Sequence, residues 1–171
     1  QKYDIPVYQF EKIRCEEGVA ALKEFAPELM VTAAFGQILS AENLAIPKYG
    51  CINVHGSLLP KLRGAAPIQW SIINGDKVTG VTTMLTDVGL DTGDILLMRE
   101  TEIGENETAG ELFDRLAVMG AELLDETIQA LINGKLNPVP QDHEAATKCG
   151  MIKKEMGRLD FTATAQQIHD K

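Results

Sequence analysis

The chain has 171 residues, 44% hydrophobic and 24% charged, which suits one ordinary folded domain and excludes a disordered polymer. Its formal net charge of −9 argues against this segment gripping a polyanion unaided, so the main contacts to any nucleic-acid partner are expected elsewhere. No apolar run approaches the ~20 residues of a membrane helix, no signal peptide opens the chain, and Cys15, Cys51 and Cys149 lack C-x-x-C spacing, so reduced thiols in a cytoplasmic protein are expected.

In chain order, Ile5–Tyr8 reads as a short strand that begins at once, which suggests a chain lacking its N-terminal part. A helix follows, with Val19, Leu22 and Phe25/Ala26 at three- and four-residue spacing and Pro27 as its stop. Leu29–Phe35 is an unbroken apolar run, expected as a strand buried on both faces of a parallel sheet and broken by Gly36. Ser40 is placed to cap a brief helical turn that Pro47 ends. The strand Cys51–Val54 then completes the strand–helix–strand alternation of an α/β layer fold.

Ala65–Asn74 reads as helix, with Ile68, Ile72 and Ile73 on one side and Gly75 at its C-terminus. Val78–Thr86 and Ile95–Met98 are β-rich and flank the turn-prone Asp87–Asp94, which predicts an antiparallel pair with a long connecting loop. Thr108 and Glu111 have capping-box spacing, and Leu112, Leu116, Met119, Leu123, Ile128 and Leu131 mark a long amphipathic helix ended by Gly134. Gln141–Lys154 reads as an extended exit from the domain, and Thr164–Ile168 as a helix cut short.

Several chemistries lack their motifs. His55, His143 and His169 lie far apart, with neither H-E-x-x-H nor paired Cys/His spacing, so no metal site is expected. G-x-G-x-x-G, G-x-x-x-x-G-K-[ST] and G-x-S-x-G are absent as well. What stands out is Cys51–Pro67, CINVHGSLLPKLRGAAP. Side chains alternate along a strand, so Asn53 and His55 share one face and bring an amide and an imidazole together at a strand end. The loop Asp87–Asp94 adds three carboxylates, with Gly89 and Gly93 allowing close approach. If that loop reaches the rim where His55 sits, an Asp there raises the histidine's pKa and orients it. From the residues alone a solvated Asp/Gly turn accounts for the loop as well, and Ser57 taken singly is a turn or cap residue.

Asn53-x-His55-x-Ser57-Leu58-Leu59-Pro60, followed by Gly64, Pro67 and then Gly89-Leu90-Asp91-Thr92-Gly93, resembles the folate-dependent formyltransferases. The likeness runs from about Pro27 to Pro140, and Arg63–Gln69 and Gly89–Ile95 are most similar to the branch that formylates methionine carried by initiator tRNA. The resemblance implies a Rossmann-like α/β fold with a mixed, mostly parallel sheet whose first strands are missing. It implies a catalytic domain over 1–140 and, over 141–171, a linker and truncated helix leading to an absent C-terminal domain.

It also implies formyl transfer from 10-formyltetrahydrofolate, without a metal, to the α-amine of initiator methionyl-tRNA. Asn53, His55 and Asp91 would be catalytic. The Asn53 amide and a protonated His55 would stabilise the oxyanion, while Asp91 keeps His55 charged and relays the amine proton. Ser57, Leu58, Leu59 and Pro60 would contact the folate, and Phe35, Gln37 and Leu39, within Phe35–Leu39, would line its pterin slot. Lys61 and Arg63 are expected either to face the tRNA acceptor end or to be solvated loop charges. A formyltransferase acting on a sugar-nucleotide or purine-precursor amine is the alternative, as is a folate-binding fragment without activity.

Overall fold

The computed structural model describes residues 3–171; residues 1 and 2, at the start of the expected 1–140 domain, lie outside the described residues. The order is α1 (Glu16–Phe25), β1 (Met30–Ala33), α2 (Ala41–Leu44), β2 (Cys51–His55), β3 (Arg63–Gly64), α3 (Pro67–Ile73), β4 (Val78–Leu85), β5 (Ile95–Glu102), α4 (Ala109–Ile132), β6 (Lys148–Cys149) and α5 (Ala165–His169). The expected α/β class with a mixed sheet is present. Four strands form one sheet in the order β1-β2-β4-β5, with β1–β2 parallel and the other two pairings antiparallel. A small parallel pair, β3–β6, stands beside it.

Local chemistry sets the boundaries. Ser40 and Thr108 each cap through a reciprocal box, with Asn43 and Glu111 reaching back to the cap nitrogens. Pro67 opens α3 where a missing N–H costs nothing, and Gly75, at φ 68°, turns the chain away after it.

The two faces of β2 carry different loads. Ile52 is fully buried, and Val54 packs against the core of Val81, Leu112, Leu116 and Leu123, to which α3 adds Ile68 and Ile72. Helix α4 lies so close here that a Cβ on Gly120 would meet Val54 Cγ1 at 3.0 Å. On the opposite face Cys51 packs with Ile13 and Leu39, and with Leu22 and Leu44 of α1 and α2. Helices therefore cover both faces, as the layer rule requires.

Two expected strands differ. Ile5–Tyr8 forms none: no partner strand lies beside it among the described residues, and Ile5, Val7 and Tyr8 are exposed. The Leu29–Phe35 run yields only Met30–Ala33, and it is half-buried rather than buried on both faces. The reason is lateral position. Strand β1 is at the sheet edge, Met30 packs into the α1–α2 side, and Val31 on the opposite face is exposed.

The stretch from Gln141 is not an extended exit either. Gln141 and Cys149 are buried, and β6 pairs with β3. No helix among the described residues is long and apolar enough to cross a membrane.

Candidate active site

The site begins with the parity of β2, since Asn53 and His55 leave the sheet on the same face as Cys51. Thr32 stands opposite Asn53 in the parallel β1–β2 ladder, and its hydroxyl donates to Asn53 Oδ1 at 2.9 Å. With that oxygen taken, the Nδ2 hydrogens are the part of the amide available to a ligand. His55, 5% exposed, has Nε2 at 2.9 Å from the Leu62 carbonyl. A carbonyl only accepts, so Nε2 carries hydrogen and Nδ1 is the nitrogen left for Asp91.

Asp91 reaches His55 by a route the strand order does not suggest. Because β4 runs antiparallel to β2, its C-terminal end lies beside the start of β2, where Thr86 N–H donates to the Cys51 carbonyl at 2.7 Å. The Asp87–Asp94 loop therefore begins at the end of β2 away from His55 and folds back, until Asp91 Oδ2 lies 3.8 Å from His55 Nδ1. That separation is beyond direct hydrogen-bond length. Asp91 itself has φ 53°, in the left-handed region.

Gly64 fixes the carboxylate. Its N–H donates to Asp91 Oδ2 at 2.8 Å. A Cβ at Gly64 would come within 2.1 Å of the Cys149 carbonyl oxygen, and its φ of 125° also favours glycine. Only glycine lets β3 approach β6 and present that N–H.

Arg63 corrects an expectation. It is neither solvated nor facing outward but 5% exposed, with Nε and Nη2 donating to Gln141 Oε1 at 3.0 and 2.6 Å. Its Nη2 also donates to His143 Nδ1 at 3.2 Å, so that nitrogen is unprotonated. Lys61 is exposed.

The Ser57–Pro60 turn is braced internally. Ser57, 1% exposed, donates to the Lys61 carbonyl at 2.6 Å. Thr82 Oγ1 donates to the Ser57 carbonyl at 2.7 Å and accepts from Leu59 N–H at 3.2 Å. Leu59 is buried, and Leu58 and Pro60 are partly exposed.

Of the three residues expected along a pterin slot, Phe35 and Gln37 line an open cavity of about 620 Å³ together with Tyr8, Phe10, Ile13 and Phe25. The Gln37 side chain bridges to the neighbouring segment, accepting from Ile13 N–H at 2.7 Å and donating to the Phe10 carbonyl at 3.2 Å. Leu39 is instead in the core beside Ile13 and Cys51.

Burial pushes the thiols of Cys51 and Cys149 up, so neither is poised as a thiolate nucleophile. Among the described residues no cluster of His, Cys, Asp and Glu is gathered for a metal.

The arrangement thus offers an amide donor, an oriented imidazole and a carboxylate at one sheet end. Two contributors were missed in the sequence. Thr32 left a signal, as the one hydroxyl in an apolar run; Gln141, in irregular chain, left none.

Comparison with known proteins identifies the family. Residues 3–128 match the family described as Formyl transferase. A methionyl-tRNA formyltransferase of Acetivibrio thermocellus is 53% identical over 169 residues, covering 99% of this chain and 54% of that protein. One of Ruminiclostridium cellulolyticum is 54% identical with the same coverage. The chain spans about half the length of the curated relatives it matches.

Among solved structures, a sugar N-formyltransferase from a Shewanella species superposes with a TM-score of 0.76 at 28% identity, covering 92% of this chain and 63% of that one. An N-formyltransferase from Helicobacter canadensis, in complex with folinic acid and dTDP-3-aminofucose, gives 0.74 at 27% identity, covering 86% and 56%. With well over half of its length matched to the family's model, and with the fold of that family's solved members, this chain belongs to the formyl transferases.

Proposed function

We propose that this chain contributes the transfer chemistry of a methionyl-tRNA formyltransferase, moving a formyl group from 10-formyltetrahydrofolate to the α-amine of initiator methionyl-tRNA in the cytoplasm. The observation that carries it is the gathering of Asn53, His55 and Asp91 at one end of β2, with 3.8 Å between the imidazole and the carboxylate. Identity of 53–54% to methionyl-tRNA formyltransferases, against 26–28% to two sugar N-formyltransferases of known structure, supports that acceptor over a sugar amine.

In this mechanism the amine nitrogen attacks the formyl carbon, and negative charge grows on the formyl oxygen. The Asn53 Nδ2 hydrogens, left available by the Thr32 bond to Oδ1, donate to that oxygen. His55 as an imidazolium spends Nε2–H on Leu62 and keeps Nδ1–H for the oxyanion, with Asp91 close enough to supply the countercharge without monopolising the proton. Asp91, through water, accepts the proton released by the attacking amine and passes it on to N10 of the folate as the oxyanion collapses and the formyl carbon–N10 bond breaks, leaving the formylated amine and tetrahydrofolate.

The folate fits residues already in view. Tyr8, Phe10, Phe25 and Phe35 around the cavity would wall a flat ring, and the braced Ser57–Pro60 turn would supply a rigid edge. With a net charge of −9, this part of the protein leaves most of the tRNA grip to the remaining length its relatives possess.

The test supplies full-length protein with formyl-labelled 10-formyltetrahydrofolate and three acceptors: initiator methionyl-tRNA, an aminosugar nucleotide and a purine-precursor amine. Label on the methionyl amine is the expected result, and label carried only to either other amine overturns the assignment. A non-reactive folate analogue should shift amide signals of Gln37–Leu39 and Asp87–Asp91; shifts confined to other surfaces contradict the folate site.

A further inference from the structure

Gln141 carries no catalytic signature, yet it is 6% exposed and both polar atoms of its amide are fully employed. Oε1 accepts twice from Arg63, at 3.0 and 2.6 Å, and Nε2 donates to the carbonyls of Asp91 at 3.0 Å and Gly93 at 2.7 Å. Those carbonyls belong to the loop that has folded back over β2, and Asp91 itself holds a left-handed conformation, which Asp adopts more readily than most non-glycine residues. The loop is therefore pinned at two points. Gly64 N–H holds the Asp91 carboxylate, and Gln141 holds the backbone on both sides of Thr92.

The residue type fits this task closely. Arg63 offers only donors, the two carbonyls offer only acceptors, and a carboxamide presents one oxygen and one NH2 to satisfy both at once. Glutamate would satisfy Arg63 but set a second anionic oxygen against two carbonyls. Leucine would satisfy neither and would strip the buried guanidinium of its closest acceptor.

We propose that Gln141 is a positioning residue for the transfer step, acting through Asp91: with Arg63 as its anchor, it fixes the backbone from which the Asp91 carboxylate is aimed at His55. This rests on the formyl-transfer function proposed above.

The experiment places Gln141→Glu and Gln141→Leu in full-length protein, each in wild-type and Asp91→Ala backgrounds, and measures kcat and both KM values across pH. In the wild-type background kcat falls ~10–100-fold with KM changed less than ~3-fold, as expected when a reacting group is slightly misplaced. In the Asp91→Ala background the same substitutions change kcat less than ~2-fold, because the route through Asp91 is already gone. If Gln141→Leu unfolds, Gln141→Glu, which keeps Arg63 paired, carries the test.

Wild-type kcat in Gln141→Glu overturns the proposal, and so do equal fold-losses in both backgrounds, which mark a general structural role. Should wild-type protein formylate no acceptor, the proposed function fails separately. The clamp is then decided by the Asp91–Gly93 amide and His55 ring signals of Gln141→Glu: displaced signals uphold it, and unchanged signals overturn it.

Discussion

The two faces of β2 are built from adjacent residues and do opposite work. Ile52 and Val54 point into the α4 side, where Val81, Leu112, Leu116 and Leu123 form a dry core. Asn53 and His55 point the other way, into a network of hydroxyl, carbonyl, carboxylate and amide groups. One strand thus anchors the fold with Ile52 and Val54 and presents chemistry with Asn53 and His55. Rigidity on the first face is what lets polar groups on the second be held in place without collapsing onto each other.

Substitutions should separate the faces cleanly. The largest expected effect is on the polar side: Asn53→Ala or His55→Ala in full-length protein lowers kcat ~10²–10³-fold, the usual loss for one oxyanion donor. Steady-state assays beside thermal melting check it, and a variant with near-normal kcat breaks the division. On the helix side, Leu112→Ala empties a fully buried site and should cost ~2–5 kcal/mol of stability by urea denaturation. Below the transition that variant keeps its kcat, whereas a parallel loss of turnover would blur the contrast.

The smallest effect lies outside both faces. Arg115 donates to both oxygens of Glu107, at 2.7 and 2.9 Å, and to Thr101 and the Glu102 carbonyl. Its guanidinium beside Glu107 holds that carboxyl below the ordinary carboxylate range. A depressed folded value contributes stability above the unfolded pKa of ~4.3, and the contribution disappears as pH falls through the folded one. Arg115→Ala should therefore cost ~1 kcal/mol or less at neutral pH, and the gap to wild type should narrow in acid as the Glu107 contribution disappears, as melting curves at pH 7 and below pH 4 will show.

Much of the polar face was legible because strand alternation is strict. Asn53 and His55 share a face wherever Cys51–His55 is extended, and the Ser40 cap and the Thr108 capping box likewise depend on a few neighbouring residues. Asp91 was legible as a residue but not as a route. Its loop starts at the far end of β2, a consequence of antiparallel pairing that no local spacing encodes.

Arg63 and Gln141 were hidden for a related reason. A charge in a turn reads as solvated until the segment that buries it arrives from 78 residues away. Half of the Gln141 bonds go to carbonyls, which every residue possesses and which leave no trace in side-chain pattern. The edge strand β1 illustrates the converse, since its apolar run does not state how many neighbours will cover it.

The division between the faces rests on Asn53 most heavily, because Thr32 orients its amide and leaves the Nδ2 hydrogens for the oxyanion proposed above. The most direct measurement is single-turnover transfer of labelled formyl to initiator methionyl-tRNA by full-length Asn53→Ala at saturating donor, with its melting temperature taken alongside. A rate reduced ~10²–10³-fold with melting within a few degrees of wild type is the predicted result. A wild-type rate, or a loss of rate matched by loss of the fold, would contradict the assignment of this face to the chemistry.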